Sequence, residues 1–174
     1  MEYLKTNSFE HEASIAQLYY DCFTAGISAQ HIDLEELNRY VRLNLEKGYA
    51  ILAVENSSLM GCLLCLPLTF DEHLPESMRW RVNVEKTLYI SELMVAQNGR
   101  GVGVGKSLIL NCIESVHRRF FSEVVIRVWE ENKLALKLYS NLGFVAVDEI
   151  VQLKKKPDGD KTFQMKKLYL KKTL

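Results

Sequence analysis

Arg100-Gly101-Val102-Gly103-Val104-Gly105 stands between the apolar run Leu88-Tyr89-Ile90-Ser91-Glu92-Leu93-Met94-Val95 and an apolar helical stretch from about Gly105 to Arg119. Four of the nine glycines, Gly99, Gly101, Gly103 and Gly105, fall at alternate positions here. Lacking a Cβ, they let the backbone take conformations closed to other residues and lie directly against a ligand. The helix that follows opens with unpaired N–H groups and the positive end of its dipole. A strand, turn and helix of this kind is suited to hold an anion such as a phosphate.

Spacing separates three phosphate-binding patterns. A P-loop needs glycine five positions before Gly105-Lys106-Ser107, where this chain has Arg100. A dinucleotide fingerprint, G-x-G-x-x-G, would place its last glycine on Val104 or on Lys106. The pattern Arg/Gln-x-x-Gly-x-Gly/Ala fits as Arg100, Gly103 and Gly105. On these residues the chain resembles the GNAT superfamily of acyl-CoA-dependent N-acyltransferases, whose pyrophosphate-binding motif this is. A glycine-rich turn with no ligand is the alternative.

A length of 174 residues suggests one domain, 1–174, able to bury a proper core. The 48% apolar and 25% charged shares are those of a globular chain. With 22 basic and 22 acidic side chains there is no global attraction to nucleic acid or to a membrane. Lys154, Lys155, Lys156, Lys161, Lys166, Lys167, Lys171 and Lys172 make the C-terminal region locally basic. They either solvate strands and a turn or meet an acidic substrate or partner. No apolar run approaches the roughly 18 residues that span a bilayer, and Met1 to Lys5 lacks signal-peptide character, so a cytoplasmic location is expected. Cys62 and Cys65 form a C-x-x-C inside a strand, where alternation keeps them off one face. Buried thiols fit better than a redox pair or a metal site. The four histidines show no metal-ligand spacing, and no metal is expected; His73 could approach a substrate.

Met1 to Thr6 reads as a short strand, and Asn7 with Glu10 as a capping box before a helix carrying Ile15, Leu18, Tyr19, Cys22 and Phe23. Asp33 and Glu36 open a second helix that stops at Gly48 as a C′ residue. Tyr49 to Val54 and Leu59 to Leu68 form a hairpin around Glu55-Asn56-Ser57-Ser58, with Pro67 near a strand end. Asp71 to Lys86 has no period; its Met78-Arg79-Trp80-Arg81 either lines a cleft or is a solvated loop anchored by Trp80. After the glycine turn, Ile109, Cys112, Ile113, Val116 and Phe120 form a helix stripe. Val124 to Trp129 is a strand, and Lys133 to Leu142 a helix capped by Asn132 and ended by Gly143. Phe144 to Leu153 and Thr162 to Leu170 pair around Pro157-Asp158-Gly159-Asp160.

The fold class is therefore α/β, a mixed α+β sandwich in the order β-α-α-β-β-β-α-β-α-β-β with helices on both faces of a mixed, partly splayed sheet. That order is also the GNAT order. A second motif supports the resemblance: Asn132-Lys133-Leu134-Ala135-Leu136-Lys137-Leu138-Tyr139-Ser140-Asn141-Leu142-Gly143-Phe144 is similar to the family's N-x-x-A-x-x-L-Y-x-x-x-G-F segment at every fixed position. Two motifs in the right order count for more than either alone. The resemblance covers nearly the whole chain and is most specific from Tyr89 to Phe144.

The resemblance implies an N-acetyltransferase with acetyl-CoA as co-substrate, a primary amine as acceptor, direct transfer in a ternary complex, and room for a homodimer. It implies that pyrophosphate rests on amides of Gly101, Val102, Gly103, Val104, Gly105 and Lys106, with Arg100 either adding a contact or facing solvent. Within Leu93, Met94 and Val95, the Leu93 N–H would polarise the thioester and Val95 would pair with the pantetheine arm. Asn132 belongs to the same cofactor-binding set. Tyr139 matches the acid near the sulfur; a phenol is the weaker acid by about 2 kcal/mol, so it hydrogen-bonds the growing thiolate and does not fully protonate it. Glu92, a charge amid an apolar strand, is the candidate base. Alternation puts it on the face opposite Tyr89, Ser91 and Leu93, unless a bulge resets it. The acceptor is a small molecule or a protein N-terminus. A non-catalytic acyl-CoA-binding sensor and a nucleotide-binding enzyme stay open as alternatives.

Overall fold

The computed structural model describes residues 1–26 and 28–174. Seven strands and four helices follow the expected order: β1 (Glu2–Thr6), α1 (Glu12–Phe23), α2 (Leu34–Lys47), β2 (Tyr49–Glu55), β3 (Ser58–Pro67), β4 (Thr87–Val95), α3 (Val104–Ser115), β5 (Glu123–Trp129), α4 (Lys133–Asn141), β6 (Val145–Lys155) and β7 (Thr162–Thr173). One sheet runs β1-β2-β3-β4-β5-β7-β6. Every pairing is antiparallel except β4 with β5.

Alternation along the central strands builds a core on each face. Ile51, Leu63, Ile90 and Ile126 meet Val104, Leu108, Ile109 and Cys112 of α3 on one side. Ala50, Leu52, Cys62 and Leu64 meet α1 and α2 on the other, through Ile15, Leu18, Leu37, Val41 and Leu45. Cys62 and Cys65 accordingly lie in different cores, both buried and free. The period-free segment covers a third cluster. Met78 and Val84 from short 3-10 turns, with Val82 between those turns, close over Leu66, Tyr89, Val125 and Tyr169, on sheet surface that α1 and α2 leave uncovered.

Several local readings need correction. Ser8, not Asn7, accepts from the Glu10 N–H, and it caps a single 3-10 turn before α1. Trp80 is 90% exposed and neither anchors its segment nor lines a cleft; Met78, fully buried, is the anchor. A 3-10 turn has too short a repeat to show a helical period. α3 stops at Ser115, so Phe120 is exposed beyond it and the buried stripe begins earlier, at Val104 and Leu108. Gly48 follows α2 with a negative φ of −147°. Its need is space, because a Cβ there would stand 1.9 Å from the Cys65 carbonyl oxygen.

Asp33 caps α2 by accepting from the Glu36 N–H at 2.9 Å, and Asn132 caps α4 by accepting from the Ala135 N–H at 3.2 Å. The Asn56-Ser57 hairpin has both central residues at positive φ, the geometry that matches strand twist.

Candidate active site

β4 pairs with β5 only from Thr87↔Glu123 to Ile90↔Ile126, after which the two strands part. At the same place the β3–β4 register slips, Leu64 opposing Glu92 and Cys65 opposing Ile90, so that Ser91 is the extra residue of a bulge. Ser91 is held there by its hydroxyl, 2.5 Å from Asn44 Oδ1 of α2 and 3.2 Å from the Leu64 carbonyl oxygen. The bulge resets the alternation. Tyr89, Ser91 and Glu92 all face the α2 side, and Leu93 returns to the α3 side.

The same register orients the backbone. The Ala96 N–H donates to the Met60 carbonyl, which makes Val95 and Gly61 a non-hydrogen-bonded pair. The N–H and C=O of Val95, and of Leu93 two residues earlier, therefore point away from β3 into the gap left by β5. Met94 does the opposite. Its backbone turns to β3 and its side chain is buried between α1 and α2, so it is not brought into the gap. The Val95 carbonyl already accepts from Arg100 Nε at 3.2 Å and from Cys22 Sγ at 3.6 Å. Arg100 is thus exposed, as one of the two expected orientations has it, with its Nε folded back onto the strand end.

The glycine turn leads from this gap into α3. Gly101 and Gly103 have φ of +79° and +90°, and a Cβ on Gly103 would meet no neighbour within 4 Å. Conformation, not crowding, requires glycine at 103. Gly105 differs: its φ is ordinary, and a Cβ would make van der Waals contact at 3.5–3.7 Å with Val95, Leu138 and Leu93. Backbone geometry thus accounts for a pattern that demands glycine at one position and accepts alanine at the other. Among the described residues the N–H groups from Gly101 to Lys106 have no hydrogen-bond partner. Val102 and Lys106 side chains are exposed beside them, while that of Val104 is buried in the α3 core. Six unpaired amides around the N-terminus of a 12-residue helix fit a diphosphate.

Two cavities meet at the bulge. The smaller, about 110 Å³, lies in the gap and is lined by Ser91, Glu92, Leu93, Asn132, Tyr139 and Lys167 among others. The larger, about 870 Å³, opens between α2, the segment after β3 and the β6–β7 hairpin. Glu92 and Lys167 line both. Tyr139 is buried beside Phe144 with no hydrogen-bond partner for its hydroxyl among the described residues, and burial raises its pKa. Glu92 accepts from the Tyr40 hydroxyl at 3.1 Å. Burial lifts its carboxyl above the usual range, against the opposing pull of Lys167, Arg127 and Tyr40.

The wall of the larger cavity contains an ion pair that sequence reading missed. Arg127 Nη1 lies 3.1 Å from Asp71 Oδ1 and donates to the Tyr169 hydroxyl at 3.0 Å, which in turn donates to Asp71 Oδ2 at 2.7 Å. Arg127 is a charge inside the β-branched strand Val124 to Trp129, the same signal that singled out Glu92. Tyr40, Ser91 and Asn44 carried no such signal. His73 lines the larger cavity, its pKa lowered by burial and by Arg127.

Residues 13–144 match the acetyltransferase (GNAT) family. The chain is 31% identical over 108 residues to N-alpha-acetyltransferase 30 of Saccharomyces cerevisiae, covering 59% of this chain and 55% of that protein. It spans about half, or less, of the length of the curated relatives it matches. Ribosomal-protein-alanine N-acetyltransferase from Brucella melitensis superposes with a TM-score of 0.74 at 17% identity, covering 100% of both chains. The yncA acetyltransferase of Salmonella typhimurium, solved with its cofactor acetyl-CoA, does so with a TM-score of 0.72 at 16% identity over 100% of this chain and 95% of that one. With a parted strand pair, an amide-lined turn at the head of α3 and a matching profile over most of its length, the chain belongs to the GNAT acetyltransferase family.

Proposed function

We propose that the protein moves an acetyl group from acetyl-CoA to a primary amine by direct transfer in a ternary complex. The observation that carries this reading is the bulge at Ser91, which turns Glu92 to the α2 side, where it lines both cavities. Acetyl-CoA supplies an activated thioester, and this chain's residues do the remaining work. The amides from Gly101 to Lys106 hold the diphosphate, and Leu93 N–H donates to the thioester oxygen as negative charge grows there. The larger cavity admits the amine. Glu92, with a carboxyl made more basic by burial, takes its proton directly or through a water. Tyr139 donates to the departing sulfur, and Asn132 holds the start of α4 on which Tyr139 sits.

The yeast relative's name supports an α-amine at the start of a peptide chain as the acceptor class. Thiol release from acetyl-CoA with peptide and small-molecule amines tests both points. Acetylation of peptide N-termini is the expected result. Release of thiol only with small amines would move the acceptor class, and no release with any amine would remove the enzymatic reading in favour of a binding module.

A further inference from the structure

Five charged groups stand inside the larger cavity or its walls with only partial exposure: Asp71, Glu92, Arg127, Lys154 and Lys167. Asp71 and Arg127 satisfy each other. Glu92 has the Tyr40 hydroxyl. Lys154 and Lys167 have neither an ion pair nor a hydrogen bond among the described residues, whereas Lys166 and Lys171 of the same hairpin pair with Glu149 and Glu123 at 3.0 Å. Removing an ammonium group from water without a partner is costly, and burial beside Lys154 and Arg127 pulls Lys167 down to about 8. Two further polar groups in the same cavity lack partners, the buried Tyr89 hydroxyl and Gln152 Oε1. Buried polar atoms of this kind are rarely left unsatisfied, so the cavity suits a ligand that is itself polar.

The sign of that ligand follows from the charges. Over the whole lining the exposed Asp33, Glu36 and Glu72 offset Arg39 and Lys155 and are screened by water, but among the partly buried groups three cations face two carboxylates, and an acceptor bearing only cationic amines would add to that inner excess. An anion beside the amine would offset it, with the amine at Glu92 and the anion at the lysines. We propose that the acceptor carries a carboxylate close to its reacting amine, and that Lys154 and Lys167 bind that carboxylate. The inference rests on the acetyl-transfer reading above and narrows its acceptor class. Lys167 is the nearer determinant because it lines both cavities with Glu92; Lys154 and Gln152 extend the subsite along β6. The carboxylate has two sources, the α-carboxylate of a free amino acid or the side chain of an acidic residue at the start of a peptide.

The test compares kcat/KM within matched pairs: amino acids against their amides, and peptides starting with aspartate or glutamate at the first or second position against the asparagine or glutamine counterparts. The unaltered protein is expected to favour the acidic member tenfold or more in at least one arm, and the arm names the source. That ratio should fall toward one in Lys167→Met and in the Lys154→Met/Lys167→Met pair, persist in Lys167→Arg, and invert in Lys167→Glu. A ratio is insensitive to loss of folded protein. Equal use of both members by the unaltered protein, or a preference that survives in the double variant, overturns the inference while leaving acetyl transfer standing. Absence of thiol release with every amine removes the transfer reading and this inference together.

Discussion

At the scale of single residues, the site asks for weak acids and bases whose strength the surroundings set. Tyr139 has an unpartnered hydroxyl facing the small cavity. In Tyr139→Phe, steady-state kinetics should show kcat lowered roughly 10- to 100-fold, the loss of a hydrogen bond to a developing charge. KM for acetyl-CoA should move little; an unchanged kcat across pH would remove the role. Glu92 titrates above the ordinary carboxylate range because it is buried. The basic form acts, so kcat/KM is expected to climb with pH through that raised value. Glu92→Gln should lose the step along with about 100-fold in rate. Tyr40 donates to Glu92 and so favours the charged form. Removing its hydroxyl in Tyr40→Phe should push the rising limb of the pH profile to higher pH, whereas a purely structural role for Tyr40 would leave the limb in place.

At the scale of elements, function depends on where regular structure is interrupted. A continuous β4–β5 ladder would bury the Leu93 N–H in a sheet hydrogen bond; parting after Ile90↔Ile126 leaves it directed into the gap. The turn into α3 is the second interruption. Gly103→Ala forces a side chain onto a backbone at φ +90°, at a cost of roughly 1–2 kcal/mol. Relaxing that strain would turn the amides away from the diphosphate. Calorimetry with CoA should therefore show a loss of affinity in Gly103→Ala larger than that in Gly105→Ala, whose Cβ finds room among Val95, Leu138 and Leu93. The reverse order would mean that the turn acts by packing and not by conformation.

At the scale of the whole molecule, the two cavities are joint products of segments distant in the chain. α2 supplies Tyr40 to the lining and holds Ser91 through the buried Asn44, the period-free segment supplies Asp71, and the C-terminal hairpin supplies Lys154 and Lys167. The His31 N–H donates to the Lys155 carbonyl at 2.9 Å, tying the approach to α2 onto that hairpin. A ligand that binds only this assembled state stabilises it by mass action. Acetyl-CoA at 100 times its Kd should add about 2.7 kcal/mol and raise Tm by roughly 5–10 °C for a chain of this size. ATP at the same concentration should leave Tm unchanged, and an equal rise with ATP would return the turn to the nucleotide-binding alternatives.

What residue order determined alone was local. The glycine turn, the helix caps at Asp33 and Asn132, the succession of strands and helices along the chain and both family motifs were legible because backbone conformation and alternation act over a few neighbouring residues. Trp80 and Phe120 misled for a related reason, since a large apolar side chain has no burial of its own until an element covers it. Only the tertiary structure decided which face Glu92 takes, because one bulged residue at Ser91 reverses an alternation that the run from Leu88 to Val95 otherwise dictates. It alone also separated Lys154 and Lys167 from the other lysines of a basic tail. Whether an ammonium group has a partner depends on side chains brought together across the chain, and no local pattern records that.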